Sequence, residues 1–288
     1  MPTPEPSSAL IADVPDFGLI IIGDEIMSGK RADKHLPAVI ERLHARGLQL
    51  AHADYVGDAP QRITNTLRRA FKSGDVVFSC GGIGATPDDH TRQCAARALG
   101  VELALHLQAR ELILERMRDT AREQGVAFEP ERADNLHRLN MGVFPLGAQI
   151  IPNPYNKIPG FSCTVSAHAA LDGAAVHFVP GFPVMAWPMI EWVLDNRYAR
   201  FFKRRAWVEK SVIVFGSMEG TLTPLMEEIE RRFAGIKVFS LPSVDHPDYG
   251  RHIELGVKGE GAEVDRAYAA LLTGLRQFDT TLGPELVR

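Results

Sequence analysis

At 288 residues, with 45% hydrophobic and 24% charged side chains, the chain has the make-up of a soluble globular protein with a substantial core. Its net charge of -4 and pI near 6.2 argue against a nucleic-acid or anionic-membrane partner. Apolar runs such as Leu19 to Ile22 are far too short to span a bilayer, and Cys80, Cys94 and Cys163, odd in number and without CxxC spacing, fit reduced thiols in a cytoplasm and no zinc site.

Residues 1–16 carry four prolines, no Lys or Arg and no apolar h-region, which predicts a flexible tail rather than a secretory signal. From Phe17 strand and helix alternate. FGLIII (17–22) reads as a buried strand. Leu36, Val39, Ile40 and Leu43 recur on one helical face, with Asp33 as a cap, Pro37 in the first turn and Gly47 at the end. LQLAHADYV (48–56) is a second strand. Ile63, Leu67, Ala70 and Phe71 mark a second helix that starts near Pro60 and ends at Gly74. A strand over 75–80 and a helix over 91–99 complete a β-α-β-α-β-α series, which implies a mostly parallel sheet with helices on both faces. Helices are expected at 107–124 and 132–140, a strand and an irregular loop over 148–162, a strand and tight turn over 174–183, and a helix over 184–200. FFKRRAW (201–207) reads as a solvated linker. Beyond it, 208–215 (strand), 221–234 (helix), 236–241 (strand), 251–258 (strand) and 262–278 (helix) form a small second α/β unit.

The segment DVVFSCGGIGATPDDHT (75–91) carries most of the chemistry. A buried strand breaks into Gly81, Gly82 and Gly84, where a backbone without Cβ atoms can turn sharply and approach a ligand. Asp88 and Asp89 follow, just before the helix. Glycines and helix amides near Thr91 can cradle phosphate oxygens. Two carboxylates facing a polyanion would repel it unless a divalent cation lay between them. An Asp N-cap on an ordinary strand-to-helix turn is the bland alternative. Cys80 ends the strand as a small core residue.

Ligands of open parallel sheets gather beyond the carboxyl ends of the strands. Asp24 and Glu25 follow the first strand, Asp58 the second, and Asp88 and Asp89 the third, so the topology brings all of them to one rim. Taken singly, Asp58 could merely cap the next helix, and Glu25 could be solvated. GDEIMSGK is no P-loop, because five residues separate Gly23 from Gly29 and Arg31 stands where Ser or Thr is required. There is no GxGxxG dinucleotide fingerprint and no GxSxG elbow. His35, His90, His168 and His177 lack metal-ligand spacing, and among them only His90 lies in the rich motif.

GDEIMSG (23–29), YVGD (55–58) and GGIGATPDDHT (81–91), in that order and spacing, resemble the MoaB/Mog-like molybdopterin-binding superfamily. PNP (152–154), GF (160–161) and PGFP (180–183) look like the N-terminal domain of the competence/damage-inducible protein A (CinA) family. The resemblance covers roughly 17–200 and extends more weakly into 208–280. The amidase domain of full-length CinA proteins is not expected, since the sequence ends at Arg288. The resemblance implies a three-layer α/β/α sandwich and a rim site in which Asp89 and Asp58 matter. In CinA-type domains that pocket is similar to a metal-dependent pyrophosphatase acting on ADP-ribose, and the related domain of FAD synthase is linked to FAD cleavage. This sequence departs from the family pattern at Ala85, at Asp33-Lys34-His35, and at PGFPVM (180–185), which lacks a Ser and a Glu.

The resulting expectation is a cytoplasmic, metal-dependent hydrolase of a nucleotide diphosphate such as ADP-ribose or FAD. Asp89 and Asp58 would be catalytic. Gly23, Asp24, Gly81, Gly82, Gly84, Thr86, Thr91, Pro180 and Gly181 would hold the nucleotide phosphates, and Asp58, Asp88, Asp89 and Glu25 would hold Mg²⁺ or a similar ion. The alternatives are a molybdopterin-binding or adenylylating protein and a non-catalytic binding module. Self-association is expected, without nucleic acid or membrane.

Overall fold

The computed structural model describes residues 14–164, 174–202 and 207–287. Most of the expected tail (1–13), most of the expected linker (203–206) and His168 lie outside the described residues. The chain divides into two units, Met1–Phe202 and Lys203–Arg288.

In the first unit, β1 (Phe17–Ile22) is followed by a single helical turn, α1 (Asp24–Met27), and by α2 (His35–His44). Next come β2 (Leu50–Val56), α3 (Pro60–Ser73), β3 (Val76–Cys80) and α4 (Thr91–Leu99). The chain continues through β4 (Leu103–Leu105), α5 (Leu107–Gln124), α6 (Ala133–Arg138), β5 (Val143–Pro145), β6 (Gln149–Ile151), β7 (Gly160–Cys163), β8 (Ala175–Val179) and α7 (Pro183–Val193). The six-stranded sheet has the order β2-β1-β3-β8-β7-β6. Its strands β2, β1, β3 and β8 run parallel, while β7 runs antiparallel to both β8 and β6.

Strand alternation explains the layering. Phe17, Leu19 and Ile21 point to one face, where they pack with Val39 and Leu43 of α2 and with Met189 and Val193 of α7. Ile20 and Ile22 point to the other and meet Ile63 and Leu67 of α3 and Cys94 of α4. All six β1 residues are buried, as expected for a parallel strand covered on both sides. Each large apolar side chain so enclosed contributes on the order of 1.5–3 kcal/mol. The result is a three-layer α/β/α arrangement around a mostly parallel sheet.

Local signals act where expected. Asp33 accepts from the amides of His35 (2.8 Å) and Leu36 (3.0 Å) at the start of α2, and Gly74 closes α3 in the left-handed region at φ 85°. The helix expected over 184–200 is regular only to Val193; a π-helical turn (Leu194–Tyr198) and a 3-10 turn (Ala199–Phe201) finish it. The short antiparallel ribbon β4-β5 was not expected, because three-residue strands show no usable alternation.

A buried polar chain crosses this core. The Ser162 hydroxyl lies 2.7 Å from His177 Nδ1, and His177 Nε2 lies 2.7 Å from the Tyr198 hydroxyl. Burial holds the imidazole neutral, with its pKa down to about 3.

The second unit holds β9 (Trp207–Phe215), α8 (Glu219–Arg232), β10 (Lys237–His246), β11 (Gly250–Glu260), α9 (Gly261–Leu275) and β12 (Thr281–Val287). Its antiparallel sheet runs β10-β11-β9-β12 over a core including Val214, Leu255, Ile229 and Leu271. The terminal strand β12 is an addition to the sequence reading, and β10 extends five residues past the expected end at 241.

Candidate functional site

The loops that leave β1, β2, β3 and β8 at their carboxyl ends enclose a cavity of about 460 Å³. Eleven of the expected site residues line it: Gly23, Glu25, Asp58, Gly81, Gly82, Gly84, Thr86, Asp88, Asp89, Pro180 and Gly181. Asp24 and Thr91 do not.

Asp24 works one step back from the lining. Its Oδ1 accepts from the Asp58 amide (3.0 Å), and its own amide donates to Asp58 Oδ2 (2.8 Å). This reciprocal clip joins the loops after β1 and β2. A Cβ on Gly57 would run into the Asp24 carboxylate, so the close approach requires glycine there. Asp58 is therefore not a helix cap: the N-cap of α3 is Ala59, without a side-chain hydrogen bond. Burial and the charges of Asp24, Glu25 and Asp88 push the Asp58 carboxyl above the usual carboxylate range.

The glycine loop is held in place at several points. Gly81 has φ 108°, and a Cβ on it would strike the carbonyl of Ile22, so strand β1 can pass only because the side chain is absent. Thr91 is fully buried; its hydroxyl donates to Gly81 O (3.1 Å) and its amide to Gly82 O (3.0 Å). That amide is thus committed to the loop rather than presented to a phosphate, which corrects the sequence expectation. Asp89 Oδ2 accepts from both the amide (2.8 Å) and the hydroxyl (2.5 Å) of Thr86. It braces the loop and does not cap α4, whose N-cap His90 makes no side-chain bond. Hydrogen bonding from Thr86 lowers the pKa of the exposed Asp88.

Several participants were not singled out from sequence. Arg92, on α4 and only 4% exposed, donates to Gly84 O (2.6 Å) and to Asn140 O (2.5 Å), while burial lowers its pKa. His137 Nε2 lies 2.9 Å from Ala85 O. On the opposite wall, His35 Nε2 lies 3.0 Å from Gly181 O and fixes the PGFP turn. Asn153 donates to Asn156 Oδ1 (2.7 Å) and Ile158 O (2.9 Å), which shapes the PNPYN loop. Among the described lining residues Arg31 is the one with a full positive charge; it lies 3.5 Å from Glu25 and its guanidinium carbon is 6.0 Å from the ring centre of Phe182. Met141, Ile158, Pro159, Phe182 and Met185 give the cavity an apolar end opposite the acids.

The four acids expected to bind metal do not form a ready cage. Among the described residues no three His, Cys, Asp or Glu side chains come together closely enough to hold an ion, and one oxygen each of Asp58 and Asp89 is committed to the loop contacts above. Mg²⁺ ordinarily keeps several waters and takes only one or two carboxylates together with substrate phosphates. Asp58 and Asp88, facing one cavity from two loops, fit that sparser mode.

Comparison with known proteins places the chain in a family. Residues 18–200 match a family described as a probable molybdopterin binding domain. A CinA-like protein of Geotalea uraniireducens (strain Rf4) is 32% identical over 256 residues, which are 88% of this chain and 55% of that protein. The chain thus spans about half the length of that relative. A protein of Caldivirga maquilingensis is 27% identical over 265 residues, 90% of this chain and 94% of its own length. Among solved structures, the CinA protein of Thermoplasma acidophilum, described as of unknown function, superposes with a TM-score of 0.52 at 25% identity, covering 64% of this chain and 98% of that one. Among the described residues no helix is long and apolar enough to cross a membrane.

Proposed function

The chain belongs to the molybdopterin-binding domain family, with a CinA-type domain over residues 18–200, and from that premise we propose that it is a metal-dependent pyrophosphatase acting on ADP-ribose or a similar dinucleotide such as FAD. The observation that carries this reading is the meeting of Asp58, Asp88 and Asp89 from two separate loops around one glycine-lined cavity with an apolar far end. A phosphate ester attached to a flat ring matches both ends: glycine backbone at one, Phe182 and Met185 at the other.

In this reading Gly81, Gly82 and Gly84 let the diphosphate approach the backbone, and Arg31 offsets part of its charge. Asp58 and Asp88 would hold the divalent ion, which when bound neutralises phosphate charge and polarises water. Asp89 keeps the Thr86 amide and hydroxyl in place and adds negative charge beside the cation. The Asp24 clip sets the distance between the two acid loops, acting as a positioning element rather than a ligand.

The family's description favours a second reading, in which the same cavity binds or adenylylates molybdopterin. Incubation of the purified chain with ADP-ribose and Mg²⁺, followed by mass analysis, separates the two. AMP and ribose 5-phosphate are the expected products. Molybdopterin adenylylated from ATP, with ADP-ribose left intact, would replace the hydrolase reading; ligand binding without turnover across a metal panel would leave only a binding module.

A further inference from the structure

The glycine loop is a wall with a cavity on each side. Ala85, Thr86 and Asp89 line the main cavity and also a second one of about 350 Å³. The second chamber has a different character. Its remaining side chains are mostly hydrogen-bonding ones, His90, Arg92, Gln93, His137 and Asn140, in contrast to the methionine- and phenylalanine-lined end of the first. Arg92 supplies an independent sign of a missing partner: the side chain is 96% buried, yet its Nε has no hydrogen-bond partner. A buried unpaired donor is uncommon enough to require a reason. Gln93 is exposed in the first turn of α4, and its amide can both donate and accept, which is what a sugar's hydroxyls require of a partner.

We infer that the two chambers take the two halves of one ligand, a dinucleotide-type diphosphate. Its flat ring lies in the main cavity, its diphosphate crosses the wall near Gly84 and Thr86, and its hydroxyl-rich end enters the second chamber against Gln93. This rests on the nucleotide reading above and adds to it the reason for a two-ended substrate: a pterin or mononucleotide would leave the second chamber unused.

Calorimetric titration of the full chain with Mg²⁺ tests this, using α,β-methylene-ADP and α,β-methylene-ADP-ribose, whose bridges resist hydrolysis and which differ only in the second half. The wild type should bind the two-ended analogue about tenfold more tightly, the worth of one or two net hydrogen bonds. Gln93→Trp, which fills the chamber from an exposed position, should abolish that preference and leave the affinity for α,β-methylene-ADP unchanged. Gln93→Ala should reduce the preference in part. Equal weakening of both analogues, a preference that Gln93→Trp leaves intact, or binding of neither analogue overturns the inference. Its failure is distinct from failure of the proposed reaction. A Gln93-dependent preference in a protein that never cleaves ADP-ribose keeps the inference and sinks the hydrolase; cleavage with affinities insensitive to Gln93 does the reverse.

Discussion

Two polar regions of the first unit treat charge in opposite ways. The Ser162–His177–Tyr198 chain is enclosed by the sheet and α7, each of its linking atoms has a partner at 2.7 Å, and its only titratable group of the neutral range is held uncharged. At the rim, by contrast, Asp24, Glu25, Asp58 and Asp88 face one another, and burial first, then those neighbouring charges, makes Asp58 hold its proton more tightly. The core chain stabilises the fold by satisfying its groups. The rim retains repulsion among its carboxylates, the pattern expected where selection is for binding rather than stability.

The largest effect should come from breaking the rim. Asp58→Asn keeps an acceptor for the Asp24 amide but removes the charge, so kcat/KM for ADP-ribose should fall by about 10²–10³, or roughly 3–4 kcal/mol of transition-state stabilisation. In the core, His177→Phe removes the imidazole that joins the Ser162 and Tyr198 hydroxyls and should lower the unfolding free energy by about 2–3 kcal/mol in urea titrations without altering ligand affinity. Next in size is pH. The folded-state pKa of His177 is depressed, so its contribution is present above the unfolded value near 6.5 and is lost as pH falls towards about 3. Stability at pH 5 should therefore be roughly 2 kcal/mol below that at pH 8 from this group, and His177→Phe should abolish that part of the slope. The smallest effect runs the other way. The raised pKa of Asp58 means that ionisation there opposes folding above the folded pKa, so Asp58→Asn should raise stability at pH 7, discounted for solvent exposure to under about 1 kcal/mol. A calorimetric scan showing Asp58→Asn less stable than wild type at pH 7 would remove the contrast between rim and core.

Much of this arrangement was legible in the chain. Acids placed just after three successive strands had to meet if those strands ran parallel, and β1, β2 and β3 do. The partners of the glycine loop were not legible. Arg92 sits in a helix where a charged residue reads as a solvated face, and only the packing of α4 against β5 turns it inward; His137 stays exposed and reaches Ala85 O from a helix distant in sequence. Thr91 reads as a helix start with free amides, yet the turn at Gly82 folds back far enough to consume its N–H. The apolar end of the cavity comes from Phe182 and Met185 after β8 and from Ile158 before β7, segments distant in sequence and without any local pattern. The ribbon β4-β5 and the strand β12 were missed for want of length or of alternation.

Asp89→Asn tests the central claim most directly, because the asparagine oxygen can still accept from both Thr86 donors and so preserves the loop while deleting the charge. Initial rates of AMP release from ADP-ribose in Mg²⁺ should fall by at least about a hundredfold with the thermal midpoint little changed. A variant that cleaves ADP-ribose as fast as the wild type would contradict an acid-lined phosphate site at the rim.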